Sequence, residues 1–560
     1  MTTGVWLRRE MSSHTATPRH TDVPPANSTP AAGSRTVKAA VDLASLLTAR
    51  AKSSPERSAI TFEGETRTFG QIHDRVERLA AVLHDGGVTM GDRVAYLGLN
   101  HPAILEALFA TASLGAIFVP LNFRLTGPEL AYAINHSAVH TLIADADHTG
   151  LIDGQRGVLS VERYLMAAGG EPPPDWEDVE RLCTSSAPRA HRTDILPDDP
   201  AVIMYTSGTT GRPKGATLTH ANLWWNNIAV VLALDIAYDD VSIVCAPLFH
   251  IGALNSTAIA TWIKGGRLVV HRTFDPQAVL DSLVAQRATT MFGVPVMCQA
   301  IASLPNFATA DLSALRLIIT GGAPVPVGVI RTFQGQGVEL AQGYGLTEAS
   351  PIASFLTADY ALKKIGSAGR PTLFCDVRIV DGAGVVVDAP GVTGEIQVRG
   401  PNVTPGYWNN AVATAATFDG EWLKTGDGGY RDEDGFLFVA DRIKDMIISG
   451  GENIYPAEVE DLLFDHPLVA EAAVIGIADD HWGERVCAVI AVAGDAPSLD
   501  ELREFMGGRL ARYKLPRQLE IVDSLPRNAT GKVLKTELRA RFDRSENDLE
   551  RHSVRSPRRD

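Results

Sequence analysis

The sequence predicts an α/β protein. A large N-terminal domain of helix-flanked β-sheets, carrying a small β-barrel-like subdomain, is followed by a small α+β C-terminal domain. Three observations predict this. Short apolar β-rich runs alternate with helical runs up to about residue 365, the signature of parallel strands flanked by helices. Near Gly366 the texture changes to short strands broken by DG, PG and TG turns, in VRIVDGAGVVVDAPGVTGEIQVRG and GFLFVADRI, as an antiparallel or barrel-like unit requires. After Asp441-Arg442 a smaller set of helices and strands resumes. At 560 residues the chain is also too long for one core, since single cores stop growing near about 250–300 residues.

Taken in order, AVIMY (201–205) reads as a strand and HANLWWNNIAVVLAL (220–234) as a helix. VSIVCAPL and RLVVH are strand-like. Asp275-Pro276 supplies an N-cap and a first-turn proline for a helix to Gln286. LRLIITGG (315–322) and VELAQGYG (338–345) repeat a strand followed by a glycine loop. Ligands of parallel sheets gather at such loops, after the strand C-termini. In the last unit a helix is expected over 457–464, strands at AAVIGIA and RVCAVIAV, and a helix opened by Ser498 with Glu501 three residues on, a capping box. QLEIVDSLP reads as a strand and KVLKTELRAR as a closing helix. A boundary at Asp441 therefore divides an N-terminal domain, 38–440 with its β-rich part at 366–440, from a C-terminal domain at 441–542. Residues 1–37 and 543–560 lack periodicity and are expected to be disordered tails, with Met11 an alternative start. No internal repeats are evident.

Composition narrows the function. Lys plus Arg number 51 against 66 Asp plus Glu, a net charge of −15. Nucleic-acid binding over the whole surface needs the opposite sign, so no nucleic-acid partner is expected. Cys183, Cys245, Cys298, Cys375 and Cys487 are odd in number, widely spaced and never C-x-x-C. That fits a reducing, cytoplasmic location better than a disulfide framework or a zinc knuckle. No apolar stretch follows Arg8 and Arg9, so a secretory signal is not expected. Residues 241–263 and 107–123 carry no Asp, Glu, Lys or Arg and approach the length of a membrane span. Pro247, His250, Gly252, Asn255 and Ser256 interrupt the first, and Gly115, Pro120 and Asn122 the second. Both read as buried strand-turn-helix pieces, and no integral membrane segment is expected.

YTSGTTGRPKG (205–215) is the strongest single signal. It follows a predicted strand and holds three glycines, four Ser/Thr hydroxyls and Lys214 before its final glycine. Glycines let consecutive backbone N–H groups close on an anion, hydroxyls add donors, and Lys214 neutralises phosphate charge. No Ser or Thr follows Lys214, so this is not the G-x-x-x-x-G-K-[ST] loop that holds magnesium.

GGAP (321–324), GYGLTE (343–348), TGD (425–427), DRIKDMIISGGENIYPAEVE (441–460) and PRNATGK (526–532) follow in order. With the glycine loop, they make residues 40–540 resemble the adenylate-forming superfamily, in its acyl-CoA synthetase branch. The resemblance implies a mobile C-terminal lid and ATP, Mg²⁺ and coenzyme A as reactants. It implies a catalytic set of Thr206, His250, Glu348 and Lys532, with Glu348 holding the metal. Phosphates fall to Ser207, Gly208, Thr209, Thr210, Gly211 and Lys214, with Thr347 donating to the α-phosphate. Gly321, Gly322 and Ala323 leave a slot for adenine, Tyr344 and Gly345 lie beside it, and Asp427 and Arg442 meet the ribose. Asp441 takes the hinge position. Gly450 and Gly451 admit the pantetheine arm, and Trp482 lies near the CoA nucleotide. For His250, a carboxylate-facing imidazole and an ordinary core histidine stay equally open.

The resemblance places the acyl pocket near 224–228, 250–256, 293–297, 321 and 343–350. These segments contain no Arg or Lys, which favours an apolar monocarboxylic acid, fatty or aryl. The leading expectation is an AMP-forming acid–CoA ligase. An alternative hands the activated acyl group to a carrier-protein thiol or another nucleophile in a specialised pathway. A non-catalytic nucleotide-binding homologue should lack at least one of Lys214, Glu348, Asp427, Arg442 and Lys532, and all five are present. A kinase-type reaction would release ADP instead of pyrophosphate. A homodimer is the default assembly for a soluble enzyme.

Overall fold

The strand Ile117–Leu121 buries all five of its side chains, which a sheet covered on both faces permits. The computed structural model describes residues 41–542 except 193, 207–212, 324, 443–444, 450–451, 480–481, 493, 508, 511 and 528–531. The sheet that holds Ile117–Leu121 runs Gly406–Tyr407, Lys214–Thr219, Pro200–Thr206, Ile117–Leu121, Arg93–Leu97, Val139–Ala144, Arg163–Met166, Glu177–Asp178. Neighbours are parallel from Pro200–Thr206 onward and antiparallel at the other edge.

A longer sheet starts with the hairpin Glu65–Thr68 and Ser58–Phe62. It runs parallel through Arg267–Val270, Val241–Val244, Thr290–Phe292, Leu317–Gly321 and Glu339–Gly345. At Ile352–Leu356 it turns antiparallel and continues through Ser367–Pro371, Leu437–Arg442, Trp422–Arg431, Gly394–Arg399 and Asp376–Val380. The β-rich stretch expected from residue 366 is thus antiparallel. Its strand path continues the large sheet, without closing on itself among the described residues.

Between the two sheets lies the principal core. Ile60, Val244 and Leu268 from one sheet and Val94, Phe118 and Val202 from the other share it with the helix Pro102–Ser113, buried along its whole length. A helix this largely apolar needs cover on every side, and this position provides it, with buried Glu106 paired to Arg67 and Arg75. Trp262 lies in the same core, 1% exposed. Its indole N–H donates to the Ala59 carbonyl at 2.9 Å, so burial leaves no orphan donor.

Helices begin where the sequence supplies caps. Thr68 and Gln71 form a capping box for Phe69–Asp85, Asp275 caps Pro276–Ala285, and Ser498 with Glu501 opens Leu499–Met506. Residues 241–263 form the expected strand-turn-helix, with a π-helical turn at Leu254–Ala258. No helix among the described residues is long and apolar enough to cross a membrane.

The smaller C-terminal domain is built on the long hairpin Val469–Asp479 and Gly483–Val492, with Ile447–Ser449, Glu452–Ile454 and Gln518–Ile521 completing its sheet. Alternate hairpin residues point to opposite faces. Val474, Val486 and Ala488 pack under the helices Pro456–Phe464 and Leu499–Met506, and Ile475, Cys487 and Val489 under Lys535–Phe542. That last helix starts later than the KVLKTELRAR run suggests. Val533 bridges Arg527 and the Leu534 amide donates to the Pro526 carbonyl at 2.8 Å, which holds the chain non-helical up to Lys535.

Candidate active site

Leu317–Gly321 and Glu339–Gly345 end side by side, with Gly321 opposite Gly343. A Cβ on Gly321 would lie 2.7 Å from the Gly343 carbonyl oxygen. That neighbour is backbone, so only glycine fits. Gly322 follows at φ +85° beside open space, and Ala323 is exposed. Residues 321–323 thus present bare backbone and a small side chain at the strand end.

Tyr344, the penultimate residue of its strand, donates its hydroxyl hydrogen to Asp427 Oδ2 at 2.7 Å. Asp427 is buried and lies opposite Arg442 in the pairing of Trp422–Arg431 with Leu437–Arg442. Its amide donates to Thr425 Oγ1 at 3.0 Å, and that hydroxyl donates to the Ile396 carbonyl at 2.7 Å. Three separate motifs thus converge at 344, 427 and the backbone of 442. The side chains of Asp441 and Arg442 lie outside the described residues.

Glu348 sits buried in the short turn Thr347–Ala349. Its carbonyl accepts from the Thr404 amide at 2.8 Å. Asn402 Nδ2 donates to the carbonyls of Ala349 and Ile352, and Asn255 Nδ2 to that of Ser350 at 2.6 Å. The carboxylate accepts at Oε1 from the Tyr407 hydroxyl at 2.7 Å, and Lys214 Nζ lies 5.2 Å from the centroid of the Tyr407 ring. Lys214 and Glu348 therefore share one tyrosine. Thr347 is half-buried beside them. A Cβ on exposed Gly345 would meet the Pro351 carbonyl oxygen at 1.7 Å.

Thr206 pairs with Lys214 across a hairpin, and its Oγ1 lies 3.4 Å from the Lys214 carbonyl oxygen. The tip between them, with Ser207, Gly208, Thr209, Thr210 and Gly211, lies outside the described residues, as do Gly450 and Gly451.

His250 packs on Phe249 with ring centroids 4.2 Å apart. Its Nε2 is buried and has no hydrogen-bond partner among the described residues. Burial, reinforced by the nearby Arg124 charge, pushes this imidazole down to about 4. The ring is neutral at physiological pH and can accept or donate one hydrogen bond without carrying charge.

In the C-terminal domain, half-buried Trp482 is a turn residue immediately before the second strand of the hairpin, its amide donating to Asp479 Oδ1 at 2.9 Å. The Arg517 guanidinium covers its ring at 4.2 Å from the centroid. Lys532 is exposed, next to the Arg527–Val533 bridge.

Tyr407, Asn402, Thr404 and Arg517 carry no signal in the sequence, and Asn255 figures there only as a break in an apolar run and within the acyl-pocket segment 250–256. PNVTPGYW (401–408) reads alone as a loop, and only the contact between residues 59 apart gives its tyrosine a role. A surface depression of ≈ 420 Å³ lined by Arg67, Gly70, Gln71, Asp74 and Arg75 contains none of the site residues. Arg75 there pairs with Glu106 and Glu180 and ties helices together.

No group of three or more His, Cys, Asp or Glu is arranged to hold a metal among the described residues. One buried carboxylate with one oxygen held by Tyr407 fits Mg²⁺, which is commonly bound by one or two carboxylates together with substrate phosphates.

The glycine-walled strand end, the two tyrosine-held carboxylates and the lysine-bearing hairpin together match what is expected of a nucleotide-using, adenylate-forming enzyme. Residues 47–408 match the AMP-binding enzyme family, and residues 458–532 match the AMP-binding enzyme C-terminal domain. The chain is 45% identical over 500 residues to a feruloyl-CoA synthase of Amycolatopsis sp, covering 88% of this chain and 97% of the relative. It is 37% identical over 481 residues to a long-chain-fatty-acid–CoA ligase of Mycobacterium tuberculosis, covering 85% and 93%. The solved structure of O-succinylbenzoate coenzyme A synthetase from Bacillus subtilis, in complex with ATP and magnesium ion, matches with a TM-score of 0.79 at 34% identity, covering 88% and 98%. This chain belongs to the AMP-binding enzyme family, in the acyl-CoA synthetase branch of the adenylate-forming superfamily.

Proposed function

We propose that this chain is an ATP-dependent, AMP-forming acid–CoA ligase. It activates an apolar monocarboxylic acid, fatty or aryl, as acyl-AMP with release of pyrophosphate, then transfers the acyl group to the CoA thiol. The observation that carries this reading is the pair of buried carboxylates, Asp427 on Tyr344 and Glu348 on Tyr407, with Lys214 beside the second.

The chemistry explains the need for them. A carboxylate must approach the α-phosphate of ATP, and the two repel. Aligned donors and cations offset that repulsion and position the reactants. The slot at 321–323 takes the adenine plane, with the Tyr344 ring beside it. Asp427, one oxygen engaged by Tyr344, accepts from the ribose hydroxyls with Arg442 as a second contact. Lys214 and the 206–211 loop cradle the phosphates, and Thr347 donates to the α-phosphate. Mg²⁺ held by Glu348 supplies charge neutralisation at the phosphates. Neutral His250 offers its Nε2 to the acid. An oxygen of the acid attacks the α-phosphorus, the bond to pyrophosphate breaks, and the sulfur of CoA later attacks the acyl carbon to expel AMP.

A boundary at Asp441 would allow a two-stage use of the lid. Residues 441–542 turn about Asp441 against residues 38–440, presenting Lys532 for adenylation and then the face with Gly450 and Gly451 for thioester formation. Trp482 under the Arg517 guanidinium offers an aromatic plane and a cation, features suited to the nucleotide end of CoA. This favours CoA over a carrier-protein thiol, the alternative acceptor. All five cysteines are free and buried, which supports a cytoplasmic location, and a homodimer is the working assembly.

The test is acid-dependent exchange of labelled pyrophosphate into ATP across fatty, aryl and amino acids, followed by addition of CoA or a carrier protein. Exchange with some fatty or aryl acid, then AMP and acyl-CoA, is expected. ADP as the sole nucleotide product overturns the reading.

A further inference from the structure

We infer that Tyr407 is a positioning residue that makes the metal-holding carboxylate and the phosphate-loop lysine one preformed unit. The inference rests on Glu348 as the magnesium ligand and goes beyond it to the group that sets its geometry.

The segment 401–408 is a strap between two regions of the site. At one end Asn402 donates to the carbonyls of Ala349 and Ile352, and the Thr404 amide donates to the carbonyl of Glu348 itself. At the other end Gly406 and Tyr407 pair with Thr217 and Ala216, and the Trp408 amide donates to the Gly215 carbonyl at 2.7 Å, directly beside Lys214. Gly406 is at φ +144° and a Cβ there would come 2.4 Å from Thr414 Cγ2. The Thr414 hydroxyl accepts from the Tyr407 amide at 2.9 Å. The backbone of Tyr407 is held from both sides.

Its side chain then spans the gap. The hydroxyl donates to Glu348 Oε1, a charge-assisted bond at 2.7 Å, and the ring lies 5.2 Å from Lys214 Nζ. A glutamate side chain has several rotamers to lose, and a buried carboxylate without a donor is costly. Tyr407 removes both difficulties before the metal arrives, leaving Oε2 as the oxygen free of this bond. The hydroxyl acts on the metal site and the ring on the lysine, so the two roles separate by substitution.

The experiment uses the full chain and binding measurements. Mn²⁺ replaces Mg²⁺, and its free concentration is followed by electron paramagnetic resonance in the presence of ATP. AMP and metal-free ATP are titrated calorimetrically, with thermal unfolding as the folding control. Tyr407→Phe is expected to weaken Mn²⁺ binding about tenfold or more, the scale of a lost bond to a charged group, with AMP affinity unchanged. Tyr407→Leu should also weaken metal-free ATP, because Lys214 loses the ring face. Wild-type Mn²⁺ affinity in Tyr407→Phe, or an equal loss of AMP binding, overturns the inference. Glu348→Gln separates the two levels. If it weakens Mn²⁺ while Tyr407→Phe does not, only the role of Tyr407 falls; if neither does, the reading of Glu348 falls with it.

Discussion

Tyr344 and Asp427, 83 residues apart, are joined by a 2.7 Å hydrogen bond from phenol to carboxylate. The bond unites the end of a parallel strand with an antiparallel strand of the same sheet, so the glycine-walled strand end and the Asp427 carboxylate are built as one piece. Tyr344→Phe should remove one donor from the carboxylate and raise KM for ATP about tenfold, the scale of one charge-assisted bond. The measurement is steady-state kinetics with ATP varied. An unchanged KM would show that Asp427 needs no such anchor.

Lys532 lies exposed in the C-terminal domain, whereas Lys214, Glu348 and Asp427 belong to the large one. Lys532→Ala should slow adenylation by on the order of 100-fold or more, because a cation is lost at a developing charge. Thioester formation from synthetic acyl-adenylate and CoA should change little. Assaying the half-reactions separately decides the point, and equal losses in both would sink a role confined to adenylation.

His220, 1% exposed, accepts at Nδ1 from the Leu43 amide at 3.3 Å, and burial pushes its imidazole down to about 4. An unfolded histidine titrates near 6.5. Between these values the unfolded chain holds the proton and the folded one does not, so stability falls as pH is lowered from about 6.5 toward 4. The contribution is roughly 2 kcal/mol between pH 7 and pH 5. Urea unfolding at both pH values should show a steeper loss in wild type than in His220→Gln, and parallel curves would refute the assignment.

Gly345 precedes the Glu348 turn, and any Cβ there would meet the backbone of Pro351 at 1.7 Å. Gly345→Ala must push the two backbone segments away from each other, displace Glu348 and lower kcat/KM for ATP by about 100-fold, equivalent to about 2.7 kcal/mol. Gly328, in the helix Val327–Gly335, is the control, because a Cβ placed on it would have nothing within 4 Å. Gly328→Ala should leave kinetics unchanged and stabilise slightly through the unfolded state.

Much of the fold was legible in local pattern. The strand at 200–206, the helices at 220–233 and 276–285 and the capping box at Ser498 appear where apolar runs and cap residues predict them, because these features act over a few neighbouring residues. The closing helix was misjudged at its start, because its first residues are claimed by Pro526 and Arg527 in the preceding turn. Of the candidate site, Lys214, Gly321, Tyr344, Glu348 and Asp427 could be named from their strings. Tyr407, Asn402 and Asn255 could not, since their partners lie far along the chain and no spacing records the meeting.

The sequence by itself determined the alternation of strands and helices, the glycines at strand ends and the identities of the charged groups, because steric and hydrophobic preferences are carried residue by residue. Only the tertiary structure decided which of those charges are held and by what. Contact between the two sheets brings Glu348 to Tyr407, and the strand path of the large sheet brings Asp427 to Tyr344. A buried carboxylate takes its geometry from the donor that satisfies it, and that donor is selected by packing.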